Sequence, residues 1–331
     1  MLYQHGGIPM EYAFGTLAQG VFAQPDNISL IALKGEEFGF EMMWVNDHII
    51  MPSSINSRYP YTEDGKFNEF GDSGDYLEQL TVLSYLASET STVKLLASVM
   101  VVPYRDPILT AKILSSIDVL SKGRLLLGCG AGWMQEEFEV LERPPYKERG
   151  SVTEEYIRIF KNLWTEQSPS FVGQYASYSD IVFEPKPVQI PHPPIWIGGE
   201  SRAARERVVR VGNGWFPIID NPRYRLDTPE LFTKGVESLK RLSTNYNRDP
   251  KTVEIAFAVN LYDDTRAHIG DDGRRKVFTG THEQIASDII EYKNAGAQAM
   301  MLGFTVDRQS PNATIEQMHR FSESVRPLVE T

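Results

Sequence analysis

The chain has 331 residues, 41% hydrophobic and 23% charged, an ordinary globular composition with ample material for a large buried core. Its formal net charge of -11 excludes a general affinity for nucleic acid or anionic membrane, because the long-range field repels polyanions, although a local basic spot can still hold a phosphate. The single cysteine, Cys129, excludes an internal disulfide framework and any cysteine-rich metal or iron–sulfur site. No run approaches the roughly 20 apolar residues of a membrane span, and no charged n-region precedes an apolar h-region, so a cytoplasmic protein is expected.

In chain order, residues 1–9 read as a tail, since Met10 stands just before the first strand-like run. Short β-rich apolar runs follow at 11–17, 42–46, 94–101, 124–128, 194–198, 214–219, 253–261 and 299–304. Helical periodicity follows each of them, at 27–38, 75–90, 107–120, 150–166, 201–212, 228–246, 281–295 and 312–330. Thr281 and Gln284 have capping-box spacing, and Gly39, Gly212 and Gly296 stand where helices would end. Eight βα units without a composition break predict an α/β fold, a (β/α)8 barrel in a single domain over 1–331. A doubly wound sheet would call for a fingerprint loop after its first strand, and "GTLAQGVFAQP" is not one.

Three connections exceed plain loops. Residues 49–74, after the second strand, are aromatic and polar; 133–149 follow the fourth; and 167–193, between the fourth helix and fifth strand, read as a small hairpin and a proline-locked run. The first two emerge on the face where barrel enzymes keep their sites.

The stretch "IWIGGESRAARERV" at 195–208 puts a strand end, two glycines and a helix start in sequence. Unpaired first-turn amides and the helix dipole make such a junction an anion site, with Gly198 and Gly199 allowing close approach and Ser201 adding a hydroxyl. Ser201 as a simple helix cap is the alternative, and Glu200 would repel a phosphate unless its carboxylate points away. "GCGAG" at 128–132 argues for close backbone approach at the end of the fourth strand. Cys129 within it reads as a core filler. Asp47 and His48 end the second strand, and His48 is the best general acid/base candidate, with Asp47 placed to orient it or to bond a ring amide. Both facing the lumen would require an irregular strand end. Arg105 reads as a solvated residue or a partner for a carboxylate or phosphate, and Trp133, Trp215 and Phe216 as candidate apolar walls. Nothing matches G-x-S-x-G, H-E-x-x-H or a P-loop, and no lysine occupies a strand C-end, which leaves redox chemistry on a bound cofactor.

Together, "WVNDHIIMPSSINSRYPYTEDGKF", "VPYRDPILTAKILSSIDVLSKGRLLLGCGAGWMQEEFEVL" and "FEPKPVQIPHPPIWIGGESRAARERVVRVGNGWFP" resemble the bacterial luciferase-like flavin and deazaflavin oxidoreductases, in particular their coenzyme F420-dependent branch. The resemblance covers nearly the whole chain. It implies a cofactor ring across the barrel mouth, its phosphate on Gly199, Glu200 and Ser201, and contacts from Gly130, Ala131, Gly132, the adjoining Trp133 and Glu136. It further implies a bulge with a non-prolyl cis peptide among Ser98, Val99 and Met100, with His48 moving the proton as hydride moves. Trp133 stands where sugar-phosphate dehydrogenases of the F420 branch have a glutamate, and Ala131 where luciferases have an arginine. The expectation is therefore F420 acting on a small organic substrate, with residues 49–74 as a lid, a homodimer as assembly, and neither membrane nor nucleic acid as partner. An FMN-dependent monooxygenase fed by a separate reductase and a non-catalytic flavin-binding barrel are the alternatives.

Overall fold

The computed structural model describes residues 9–16, 18–67, 75–219, 221–304 and 310–330, so part of the expected tail and residues 68–74 of the expected lid lie outside the described residues. Strands β1 (Glu11–Thr16), β2 (Met42–Val45), β3 (Lys94–Val101) and β4 (Leu125–Gly130) are followed by a short antiparallel pair, β5 (Phe171–Val172) and β6 (Ser177–Tyr178). Then come β7 (Ile195–Gly198), β8 (Gly214–Phe216), β9 (Glu254–Val259) and β10 (Ala299–Leu302). Leaving out the β5–β6 pair, the strands close into a parallel barrel in the order β1-β10-β9-β8-β7-β4-β3-β2. This is the expected (β/α)8 barrel, and each of its eight strands lies within two residues of its predicted span at the start.

The helices are α1 (Pro25–Glu37), α2 (Gln79–Glu89), α3 (Pro107–Leu120), α4 (Gln135–Val140), α5 (Arg149–Thr165), α6 (Arg202–Val211), α7 (Pro229–Asn245), α8 (His282–Asn294), α9 (Pro311–Arg320) and α10 (Arg326–Glu330). The Thr281–Gln284 capping box forms as its spacing predicts. Helix α4 is an addition to the predicted set: six residues inside the 133–149 connection are too few for periodicity to reveal. A fourth long connection, 260–281, also escaped the sequence reading. It is tied down by buried Asp263, which accepts hydrogen bonds from Thr265 and His268.

Strand alternation sorts the core into two parts. Outward side chains such as Leu125, Leu127 and Cys129 on β4, or Ile195 and Ile197 on β7, pack against the helices, whereas Leu126 and Trp196 point into the lumen. Continuing that alternation toward the strand C-ends, the next lumen positions are Gly128 and Gly130 on β4 and Gly198 on β7. The lumen is therefore filled below and left open above. One side chain enters this gap. The β3 register shifts between Ala97 and Met100, with a cis peptide between Ser98 and Val99 as the resemblance implied, and the bulge carries Val99 inward. A methyl added to Gly130 would lie 2.6 Å from Val99 Cγ2, and one added to Gly128 or Gly198 would lie 3.1 or 3.2 Å from Cγ1. The glycines of "GCGAG" thus make room first for Val99 and only above it for a ligand. Gly132 is held at φ +83, in the left-handed region where glycine is favoured.

Candidate active site

The strand C-ends enclose a cavity of about 690 Å³. Its walls come from the ends of β2, β3, β4 and β7 to β10, and its cover from the connection after β2. His48, Ser98, Val99, Trp133, Gly199 and Ser201 all line it, so most of the residues singled out in the sequence meet in one place.

His48 lies beyond the last residue of β2, which frees it from strand alternation. Its Nδ1 is 2.8 Å from Glu137 Oε2. Because a carboxylate only accepts, Nδ1 carries the proton and Nε2 is the exchangeable position. Glu137 sits in the first turn of α4 and is fully buried. Its other oxygen accepts from the Ile49 and Ile50 amides at 2.7 and 3.2 Å, and the Tyr104 hydroxyl shares the same carboxylate. Burial and that carboxylate push the Tyr104 hydroxyl well above the usual tyrosine range, so it stays a donor.

Asp47 does not orient His48. Its carboxylate is engaged on the other side, bidentate with Arg105 at 2.7 and 2.8 Å and accepting from the Val101 amide at 2.8 Å. Arg105 also reaches Glu78 at 2.6 Å. Burial opposes the Arg105 charge, but the two carboxylates outweigh it and raise its pKa. Arg105 is therefore a half-buried clamp between the β2 end, the β3 end and α2; it is not the solvated residue the sequence allowed, and the carboxylates it meets are the protein's own.

Three further residues of the expected cofactor set turn away from the cavity. Met100 is fully buried in the outer core. Glu136 accepts from the Asn56 and Ser57 amides at 2.7 and 2.9 Å, holding the cover at a second point as Glu137 holds its start. Glu200 is buried with its carboxylate taking the Ile218 amide at 2.8 Å and Asn221 Nδ2 at 2.6 Å. The latter arrangement removes the conflict with a bound anion: the backbone of Glu200 shapes the turn while its charge points away. Trp215 also packs outward, whereas Phe216 lines the cavity. Burial pushes the Cys129 thiol up to about 12, in keeping with a core filler.

At the start of α6, Ser201 caps the helix by accepting from the Ala204 amide at 3.1 Å, and Gly199 adopts φ +105 beside it. Capping and anion binding are compatible here, because the amides of the first turn have no intrahelical acceptor. Two arginines missed by the sequence reading join this turn on the cavity wall. Arg207 of α6 is lowered in pKa by burial, with Glu154 opposing, and its Nε has no hydrogen-bond partner among the described residues. Arg149, at the start of α5, reaches Gly132 O at 3.1 Å and lies 4.0 Å over the Tyr146 ring. Arg207 was legible in principle, as a cation in the second turn of a helix already suspected of binding an anion. Arg149 was not, because only the fold brings α5 to the end of β4.

Above His48, Tyr59, Phe67 and Trp133 form an aromatic cluster with ring centroids 4.8 to 5.1 Å apart. Phe67 is 5.6 Å from the imidazole. Deeper down, Trp44 Nε1 and Asn46 Oδ1 are buried with no partner among the described residues, a donor and an acceptor in the cavity lining.

Residues 10–267 match the family model for luciferase-like monooxygenases, and the chain belongs to that family. Over 141 residues, 42% of this chain and 39% of the other, it is 37% identical to an FMNH(2)-dependent dimethylsulfone monooxygenase of Pseudomonas putida. That match spans less than half of the relative's length. Among solved structures, the monooxygenase RslO1 from Streptomyces bottropensis shares the fold with a TM-score of 0.73 at 18% identity, covering 96% of this chain and 99% of that one. An F420-dependent secondary alcohol dehydrogenase in complex with an F420-acetone adduct does so with a TM-score of 0.72 at 16% identity, covering 97% and 99%. Both relationships establish the barrel and leave the cofactor open. Among the described residues, no helix is long and apolar enough to cross a membrane.

Removing the Arg105 clamp tests its structural role. Arg105→Ala leaves the buried Asp47 carboxylate with the Val101 amide alone, and urea denaturation is expected to show a loss of about 3 kcal/mol. The Asp47→Asn, Arg105→Ala pair recovers part of that loss; a single variant as stable as the parent would refute the clamp.

Proposed function

We propose that this chain is a coenzyme F420-dependent oxidoreductase that moves a hydride between the deazaflavin C5 and a small organic substrate, with His48 as acid and base. The observation that carries this reading is the His48–Glu137 couple on the wall of a cavity that also holds an anion cradle. The cavity fits such a cofactor in three respects: the glycine floor leaves space above Val99, the Ser201 turn with Arg149 and Arg207 offers positive charge, and Trp44 and Asn46 offer unpaired polar atoms. When bound, the deazaflavin supplies or accepts the hydride.

The residues of the chain supply the rest. Gly199, Ser201, Arg149 and Arg207 would hold the phosphate, and Ser98, Val99, Gly130, Ala131 and Gly132 would back the ring. Glu137 fixes the His48 ring so that Nε2 gives a proton to the substrate oxygen in one direction and takes it in the other. Tyr59, Phe67 and Trp133 exclude water from that transfer.

A second reading, a monooxygenase that receives reduced FMN from a separate reductase, is favoured by the 37% identical stretch shared with the dimethylsulfone enzyme. FMN carries the same ribityl phosphate, so the cradle serves either cofactor. Fluorescence titration of the purified protein separates the two: F420 is expected to bind at least about ten-fold more tightly than FMN. Tight FMN binding without F420 binding hands the protein to the second reading.

Glu137 is a positioning residue, and the nitrogen-15 NMR signature of neutral His48 reports on it without any substrate. In the parent protein the Nδ1–H tautomer should dominate. In Glu137→Gln, whose amide can donate to Nδ1, the Nε2–H tautomer is expected instead, with cofactor affinity changed by less than about three-fold. An unchanged tautomer in a variant that melts like the parent would overturn the assignment.

A further inference from the structure

Four arginines line the cavity: Arg58, Arg149, Arg207 and Arg223. Among the described residues none of the four has a carboxylate within ion-pair distance, although the chain carries a formal charge of -11. Most of the other described arginines do have one. Arg225, two residues from Arg223, is held by Asp227 at 2.6 Å, and Arg320 by Asp264 at 2.8 Å. In a chain with surplus acid, four arginines without an acidic partner among the described residues share the wall of one cavity, where they are placed to meet a ligand's negative charge.

Arg149 and Arg207 flank the Ser201 turn. Arg58 and Arg223 belong elsewhere on the mouth. Arg58 stands in the cover after β2, immediately before Tyr59, whose ring is 5.0 Å from Trp133 beside His48. Its side chain packs over Gly65, where an added methyl would lie 2.4 Å from Cγ, and its Nη2 donates to Glu63 O at 2.6 Å. Arg223 lies in the connection after β8, its guanidinium 5.4 Å from the Tyr224 ring. The two connections meet at the mouth, since residues 58–62 of the cover and 221–224 after β8 line the same cavity. Both arginines are exposed residues, as suits a rim that a substrate crosses.

We propose that Arg58 and Arg223 form a second anion subsite on the mouth, and that the substrate is an organic anion whose carboxylate they hold while its apolar body lies against Tyr59, Phe67 and Trp133. The proposal rests on the reading that the cofactor phosphate occupies the Arg149–Arg207 end. The same chemistry, a carboxylate, is also present in the acidic tail of F420. One feature favours the substrate: Arg58 adjoins the aromatic cluster that packs beside His48, the proposed acid and base.

The test uses phenylacetate and its neutral isostere phenylacetamide as probes, titrated calorimetrically into the full-length protein with and without F420 or FMN. The parent is expected to bind phenylacetate about ten-fold more tightly than the amide, and the Arg58→Gln, Arg223→Gln double variant to lose that preference while keeping its melting temperature. Each single variant should lose part of it. Equal affinity for acid and amide in the parent, no binding of either, or a preference that survives the double variant overturns the subsite. A double variant that weakens F420 but neither FMN nor phenylacetate assigns the arginines to the cofactor tail and overturns the substrate assignment. A phenylacetate preference lost in the double variant of a protein that binds neither F420 nor FMN would keep the subsite and refute the proposed cofactor reading.

Discussion

The Glu137 carboxylate is the group on which the active site depends. A fully buried carboxylate is tolerated only when donors replace its water, and four groups do so: the His48 imidazole, the Ile49 and Ile50 amides and the Tyr104 hydroxyl. Three of them belong to residues 48–50, immediately beyond the second barrel strand. Satisfying one charge therefore fixes the tautomer of the histidine, its ring orientation and the direction in which the cover leaves the barrel. The neighbouring Glu136 takes the Asn56 and Ser57 amides, so a single turn of a six-residue helix pins the cover at two points.

The same rule divides the charges of the mouth into two groups. Asp47, Glu200 and Glu137 are acids whose oxygens are committed to protein donors, and Arg105 is a cation committed to protein acids. These groups build the walls. Among the described residues Arg149 and Arg207 donate only to backbone acceptors, and the Nε of Arg207 to none. A half-buried positive charge beside an open helix start favours an anion, which is the physical basis of the proposed cradle.

Space for a ligand comes from a break in the lumen packing. Most (β/α)8 barrels fill their interior with layers of large side chains. Here Leu126 and Trp196 are followed by glycine at the next lumen positions of their own strands, β4 and β7, and the β3 bulge sends Val99 into only part of the gap. His48, the proposed phosphate cradle and the aromatic cluster stand around that gap because strand C-ends are where alternation stops constraining direction.

Much of this was legible in the sequence. Local hydrophobic periodicity determined the eight strands, the βα alternation and hence the barrel, because each depends on residues within one element. The strand ends carrying His48, Val99, Gly130 and Gly199 followed from the same count. What the side chains at those ends do was decided by tertiary structure. Asp47 and His48 are adjacent in sequence yet bond to partners on different elements, Arg105 and Glu137, that lie 58 and 89 positions away. The sequence reading singled out Glu136 and passed over Glu137, whereas Glu137 meets His48, and Arg149 acquired its place only when α5 packed beside β4. Periodicity is a property of neighbours along the chain; the commitment of a buried charge is a property of neighbours in space.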